Sequence, residues 1–124
     1  MRLWHEQLIP LLPRAQLLGQ HRECCALRGG GWGKPHATVN YVFTHPFEYL
    51  LQYHRLVIAE MKRRGYNVSP EWTDETYRGK QTPRAQTNAS RYAPSSPIYP
   101  EHDDVYLSEC LQNLRTKGIV LARP

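Results

Sequence analysis

Apolar side chains recur at helical spacing in three stretches of the chain. The clearest stretch forms one continuous apolar face, made of Phe47, Leu50, Leu51, His54, Val57, Ile58 and Met61. Such a face predicts a helix that lies against the core. Pro46 suits the first helical position, the cations at residues 62–64 suit the last turn, and Gly65 suits the left-handed residue that follows. We therefore predict a helix over residues 46–64.

Two further helices are predicted, one before and one after residues 46–64. The first starts at Pro13 or Arg14 and ends at the glycines of residues 29–31. Its residues at helical spacing are Leu17, Leu18, His21, Cys24, Cys25 and Arg28. The other runs over about residues 101–117, with acidic residues in its first turn and Gly118 at its end. Its apolar face consists of Leu107, Cys110, Leu111 and Leu114.

The segments between these helices carry no helical pattern. Residues 1–12 are predicted to be extended or irregular, because Pro10 and Pro13 oppose helix before them. Residues 36–43 are rich in β-branched and aromatic side chains but have no second strand to pair with, so they are also interpreted as extended or irregular. Residues 67–100 are predicted to form a long loop, ordered only where something packs on it or DNA binds it.

The length of 124 residues suits one domain. The expected fold is therefore all-α: a compact single domain over residues 1–124, with three main helices and long irregular connections.

The charge of the chain indicates the class of partner. Sixteen Lys and Arg stand against 11 Asp and Glu, which gives a net charge of +5. This balance favours a polyanion, with nucleic acid first and an anionic membrane surface second. A protein that is merely basic explains the charge equally well.

The cysteines and the apolar runs indicate the compartment. An odd number of cysteines, with Cys24 and Cys25 adjacent, does not suit a disulfide framework and favours a reducing compartment. No apolar run approaches the roughly 18 residues of a membrane span. Residues 8–12 are too short, and too interrupted by proline, for a signal peptide. We expect a soluble cytoplasmic protein.

Two motifs are incomplete. The run Gly-Gly-Gly-Trp-Gly-Lys-Pro at residues 29–35 lacks the first Gly and the Ser or Thr of a phosphate-binding loop. His21 and Glu23 match the His-x-Glu of zinc deaminases, but the downstream Pro-Cys-x-x-Cys is missing. Adjacent Cys24 and Cys25 point about 100° apart on a helix and chelate one ion poorly. We therefore predict no metal site and interpret these cysteines as small buried hydrophobes.

Several short motifs together resemble a known family. They are Arg2, Gln16-Leu17, Arg22-Glu23, His36-Ala37-Thr38, the second-helix ending Lys62-Arg63-Arg64-Gly65-Tyr66-Asn67, and Tyr77-Arg78-Gly79. In this order they resemble a group of short bacterial proteins related to the phage pyrimidine-dimer DNA glycosylase, a family that also has AP-lyase activity. The resemblance to the bacterial group extends through about Lys80, and the resemblance to the phage enzyme is distant.

The resemblance implies an all-α fold and a covalent mechanism. In the family, the N-terminal α-amine attacks the sugar of a damaged nucleotide, an imine forms, the base leaves and β-elimination breaks the strand, while a helical glutamate assists. Carried over, the amine belongs to Met1 and the carboxylate to Glu23. Arg2, Arg22 and Arg28 would contact phosphates near the lesion. The implied partner is damaged double-stranded DNA, no cofactor is needed, and we expect a monomer.

The ordinary chemistry of an α-amine and a carboxylate agrees with the mechanism that the resemblance implies. An α-amine has an ordinary pKa of about 7.7–8.0, so about 10–15% is neutral at pH 7, against about 0.04% of a lysine amine. A carboxylate can stabilise a cationic sugar and transfer protons during elimination. It also raises the pKa of a nearby amine.

Three hypotheses follow. The first is a pyrimidine-dimer DNA glycosylase with AP-lyase activity, the second a non-catalytic nucleic-acid-binding protein of the same fold, and the third an AP lyase that acts on abasic sites only. Six cations can form a phosphate-binding face: Arg2, Arg22, Arg28, Lys34, Arg78 and Lys80. Each phosphate that they neutralise steepens the salt dependence of binding. Without the resemblance, Glu23 would be interpreted as a solvated charge.

Overall fold

Three α-helices separated by short 3₁₀ turns and irregular segments make up the part of the chain that the computed structural model describes, residues 3–30 and 41–124. The helices are α1 (Arg14–Arg28), α2 (Phe47–Arg63) and α3 (Asp104–Thr116). Short 3₁₀ segments span Glu6–Leu11, Pro70–Thr73 and Ala89–Arg91. No strand occurs within these two ranges, so the prediction of an all-α fold is confirmed.

The helix ends follow local chemistry. Pro13 and Pro46 directly precede α1 and α2, where a missing N–H costs no helical bond. Gly65, with a φ of +80°, follows α2 in the left-handed conformation that glycine adopts most readily. α3 begins later than predicted, because Asp103 takes the N-cap position and its carboxylate accepts a hydrogen bond from the N–H of Tyr106 at 2.9 Å.

Two segments predicted as extended or irregular are partly helical. Within residues 1–12, Glu6–Leu11 form a 3₁₀-helix in spite of Pro10, and the His5 ring accepts a bond from the N–H of Gln7 at its start. The turn places Leu8 and Ile9 in the core, and that burial outweighs the one backbone donor that proline lacks. Residues 41–43 are also helical. Residues 36–40 lie outside the described ranges.

The core lies where the three helices meet the start of the chain. α1 contributes Leu17, Cys24 and Leu27, α2 contributes Leu50, Tyr53, Val57 and Met61, and α3 contributes Tyr106, Leu107, Cys110 and Leu114. The first segment adds Leu3, Trp4, Leu8, Ile9 and Leu12. The apolar faces predicted for all three helices therefore meet in one cluster, and the opening residues are part of it.

The connection over residues 67–100 packs onto α2. Ala89, Ile98 and Tyr99 are buried, and the side-chain amide of Gln52 donates to the carbonyls of Ala89 and Tyr92, both at 3.0 Å. Packing therefore orders this long irregular segment without DNA. In the described ranges, no helix combines the length and the apolar character that a membrane crossing requires.

Arg64, which follows α2, ties the first segment of the chain to the end of that helix. Its guanidinium donates to the carbonyl of Leu12 at 2.8 Å and to that of Pro10 at 3.0 Å. Its Nε donates to the buried Glu60 carboxylate at 2.6 Å. Because both carbonyls belong to the segment that leads back to residue 1, Arg64 helps to fix the path of the chain start.

We expect Arg64→Met to lower the free energy of unfolding by about 1.5–3 kcal/mol, since hydrogen bonds from a charged donor are lost. Arg55→Met is the matched control on the same helix. Arg55 pairs with Glu75 but is 52% exposed, so its loss should cost less than about 1 kcal/mol. Urea denaturation measures both changes. Equal losses in the two variants would contradict an anchoring role for Arg64.

Candidate functional site

The first described residues are buried and bonded to all three helices. Leu3 is fully buried and Trp4 nearly so. The N–H of Trp4 donates to the side-chain carbonyl of Gln20 on α1 at 2.9 Å, and the carbonyl of Trp4 accepts from the hydroxyl of Tyr53 on α2 at 2.5 Å. The hydroxyl of Tyr106 on α3 donates to the carbonyl of Leu3. Leu3 and Trp4 therefore have fixed positions against the helices.

Gln20 is the centre of this anchor. Its Oε1 atom accepts from the N–H of Trp4 and lies 3.1 Å from the Tyr53 hydroxyl, whose single proton is shared between Gln20 and the nearer carbonyl of Trp4. Burial raises the pKa of Tyr53 well above its ordinary value, so its hydroxyl stays protonated and can donate. The sequence analysis did not identify Gln20 as a functional residue. The sequence feature that could have indicated this role is a glutamine at a helical position that faces the core.

Glu23 lies one helical turn from this anchor. Residues three apart on a helix have side chains about 5–6 Å apart, so Glu23 neighbours Gln20 on α1. Glu23 is half-buried at this position of α1. Met1 and Arg2 lie outside the described residues.

The predicted phosphate contacts other than Arg28 fall into three groups. Arg22 and Lys80 are exposed. Arg78 is half-buried: its guanidinium lies over the Phe47 ring at 4.8 Å, and its Nε donates to the carbonyl of Arg28 at 2.6 Å. Arg2 and Lys34 lie outside the described ranges. The exposed pair can meet a phosphate directly, and Arg78 can do so only with the N–H groups that its contact with α1 leaves.

Arg28 is inside the protein. It is 1% exposed, and its guanidinium donates to the carbonyls of Trp72 at 3.0 Å and of Asp74 and Tyr77 at 2.7 Å each. The Trp72 ring lies 5.0 Å from it. Arg28 was expected to contact a phosphate at the surface, but its N–H groups point into the protein and bond the loop over residues 72–77. The residue holds that loop against α1.

A family model described as pyrimidine dimer DNA glycosylase matches residues 1–74. The chain belongs to this pyrimidine dimer DNA glycosylase family. Searches of curated proteins and of solved structures found no match. Membership assigns the protein to a DNA-repair family with DNA as substrate.

The part of the chain that matches the glycosylase family contains the anchor and Glu23. It covers residue 1, the first 3₁₀ segment, α1 and α2, and it ends before Arg78 and Lys80. The family match therefore includes the region where the chain start approaches α1. The loop that carries the last two predicted phosphate contacts lies beyond it.

Two histidines of this glycosylase-family chain form a hydrogen-bonded pair behind Arg28. The Nδ1 atom of His21 lies 2.8 Å from the Nε2 atom of His54, and Arg28 Nη1 lies 3.2 Å from His54 Nδ1. Because arginine can only donate, His54 accepts at Nδ1, carries its proton on Nε2 and donates to His21. Burial, with the charge of Arg28, holds the pKa of His54 well below its ordinary value of 6.5.

We expect the protein to lose stability as the pH falls below 6.5. The unfolded chain takes up a proton at His54 near its ordinary pKa of 6.5, while the folded chain does not, because its pKa is lowered. Stability is therefore full above this pH and falls by up to about 1.4 kcal/mol per pH unit below it. Denaturation of wild type and His54→Gln, in the presence of a chelator, measures the effect. Identical pH slopes in the two proteins would contradict it.

Proposed function

We propose that the protein is a pyrimidine-dimer DNA glycosylase with AP-lyase activity, in which the α-amine of Met1 is the nucleophile and Glu23 is the acid–base group. The observation that carries this proposal is the hydrogen bond between the Trp4 N–H and Gln20, which fixes the chain start one turn from Glu23 on α1. The family match over residues 1–74 supplies the substrate class.

The glycosylase step replaces one bond at the sugar by another. The neutral amine forms a bond to C1′ of the deoxyribose while the bond from C1′ to the base breaks, and the departing base nitrogen takes a proton. Loss of the amine's proton and opening of the sugar ring give the imine. The Glu23 carboxylate stabilises the positive charge that develops on the sugar and can carry the proton between these groups.

The lyase step uses the imine to make a C–H bond acidic. A base removes a proton from C2′, the electron pair forms a double bond, and the bond from C3′ to its oxygen breaks to release the phosphate. Glu23 is the proposed base. Water then hydrolyses the imine and frees the amine for a second reaction, so the cycle needs no cofactor.

The ordinary pKa values of the two kinds of amine favour an α-amine nucleophile over a lysine. At pH 7 about 10–15% of an ordinary α-amine is already neutral, whereas a lysine would need its pKa lowered by several units for the same reactive fraction. Fixed neighbours at Leu3 and Trp4 restrict where residue 1 can lie. In the proposed mechanism this restriction would hold the amine near the carboxylate at a high effective concentration.

We propose that DNA lies across the exposed cations Arg22 and Lys80, with Arg2, Lys34 and Arg78 as further phosphate contacts. The bonds of Arg28 hold the segment before Arg78, and Thr82 also donates to the carbonyl of Gly29 at 3.3 Å. The loop with Lys80 is therefore docked at the end of α1. Arg22 lies six residues earlier on that helix, about 9 Å along its axis.

The proposal places a monomer on damaged double-stranded DNA, in the cytoplasm. Its three cysteines are free thiols, which suits a reducing compartment.

The test compares two duplexes, one with a single abasic site and one with a single pyrimidine dimer. We expect strand cleavage on both. On the dimer duplex one glycosyl bond should also break, and the detached base should remain joined to the neighbouring base through the dimer. Cleavage of the abasic duplex alone would support the narrower AP lyase. Binding of both duplexes without cleavage would contradict the catalytic proposal and leave a nucleic-acid-binding protein. An undamaged duplex of the same sequence is the control.

A further inference from the structure

Three side chains with metal-binding atoms converge between α1 and α2, and the proposed DNA chemistry uses none of them. They are His21 and Cys25 on α1 and His54 on α2. We propose that these residues form a binding site for one divalent transition-metal ion, with Zn²⁺ the best match to two imidazoles and a thiolate.

The distances suit a single ion. One ligand atom from each residue lies within 4.8 Å of the others. The His21 Nδ1 and His54 Nε2 atoms are 2.8 Å apart, and Cys25 Sγ lies 3.9 Å from His21 Nδ1. Around a tetrahedral Zn²⁺ the ligand atoms are about 3.3–3.6 Å apart, given bonds of about 2.0–2.1 Å to nitrogen and 2.3 Å to sulfur. The two separations that involve His21 need to change by several tenths of an ångström, and the separation of Cys25 from His54, at most 4.8 Å, needs to shorten by up to about 1.2 Å.

The helices explain why these residues meet. His21 and Cys25 are four residues apart and share one face of α1. His54 comes from the adjoining face of α2. The sequence argument against a metal concerned Cys24 with Cys25, and the structure separates these neighbours: Cys24 is fully buried in the core, while Cys25 is half-buried beside His21. The set now proposed contains Cys25 without Cys24.

A bound ion would rearrange the protons of this site. In the metal-free protein a proton lies between His54 Nε2 and His21 Nδ1, so both atoms point into the same space. An ion in that space would take both lone pairs, and the His54 proton would move to Nδ1. Arg28 Nη1 would then give up its contact with His54 and keep its bond to the carbonyl of Trp72. Coordination would also ionise the Cys25 thiol, because thiolate is the metal ligand.

Three protein ligands leave one coordination position of a tetrahedral ion for water. His21 and Cys25 are each partly exposed, so the ion can enter from the surface between the helices. Because the ligands come from both α1 and α2, a bound ion would link the two helices. Ligands that bind only the folded state raise its stability. At a free metal concentration about 100 times the Kd, we expect the Tm to rise by roughly 5–10 °C.

The test uses the full chain without DNA, treated with a chelator, desalted and kept reduced with a phosphine. Co²⁺ is the spectroscopic probe and Zn²⁺ the competitor. We expect one Co²⁺ per chain, a thiolate-to-cobalt charge-transfer band, tetrahedral d–d bands, and displacement by Zn²⁺. Cys25→Ser should remove the charge-transfer band, and His54→Gln should weaken binding by at least about 100-fold.

The matched control is Cys24→Ala, which changes the neighbouring thiol but should keep the band. Circular dichroism shows whether each variant is folded, and the wild-type titration decides the question even if a variant is not. Absence of stoichiometric binding by wild type would overturn the proposal. So would a band that survives Cys25→Ser or is lost in folded Cys24→Ala. Because no DNA is present, failure here leaves the proposed glycosylase function unaffected.

Discussion

Glu23→Gln is expected to lower the rate of strand cleavage at an abasic site by about 10²–10⁴-fold, the usual contribution of a positioned acid–base group. The amide keeps the size of the side chain but cannot remove the C2′ proton. The amine of Met1 is unchanged by this substitution and still reacts with the aldehyde of an abasic site. The variant should therefore still be trapped on that DNA by borohydride, although it does not cleave the strand.

Glu109→Gln is the matched control, because Glu109 is an exposed carboxylate on α3. We expect this variant to cleave abasic DNA at the wild-type rate. Gel assays of cleavage and of trapping, run on the same duplex, separate the two steps. If Glu23→Gln cleaved as fast as Glu109→Gln, the acid–base role of Glu23 would be refuted, while a loss of trapping as well as cleavage would point to a role in forming the imine.

Arg28→Met should lower the free energy of unfolding by about 3–5 kcal/mol. The buried guanidinium donates to three backbone carbonyls, and each carbonyl left without a partner costs at least about 1 kcal/mol. Methionine fills part of the space but donates nothing, so the carbonyls of Trp72, Asp74 and Tyr77 would lose their partner. Urea denaturation measures the change in the free energy of unfolding. The loop that contains Trp72, Asp74 and Tyr77 should also become sensitive to proteolysis.

Arg22→Met, on the same helix, tests a role in DNA binding in place of a role in stability. Arg22 is exposed, so the free energy of unfolding should change by less than about 0.5 kcal/mol. The affinity of the Arg22→Met protein for duplex DNA should fall. A plot of the logarithm of the binding constant against the logarithm of the salt concentration should become shallower by about 0.9, as expected for one lost phosphate contact. An Arg28→Met protein that kept wild-type stability and lost only DNA affinity would return Arg28 to the phosphate-binding set.

The helices were predictable because their signals are local. The apolar face of α2 lies within that helix, and the prolines before α1 and α2 and the glycines after them lie within two residues of the helix ends. The 3₁₀-helix at Glu6–Leu11 was not predicted, since Pro10 is a strong local signal against helix. What favours that turn is burial of Leu8 and Ile9 against distant parts of the chain, and a local pattern does not contain that information.

The candidate site was predictable only in part. Glu23 and Arg22 came from the family resemblance, and their neighbourhood on α1 followed from the helix. The burial of Arg28 did not follow, because its three carbonyl partners lie 44 to 49 residues away in an irregular loop. The histidine pair was also missed: His54 stands in an apolar stripe, and its partner His21 is 33 residues earlier.

The most direct test of the central claim is to locate the covalent bond to DNA. Untagged protein, with an intact mass that shows Met1 at the N-terminus, would be trapped on an abasic duplex with borohydride, digested and mapped by mass spectrometry. We predict that the sugar is attached to the α-amine of Met1 and that two or three residues added before Met1 abolish trapping. An adduct on a lysine such as Lys34 or Lys80, or trapping that survives the extension, would contradict the account.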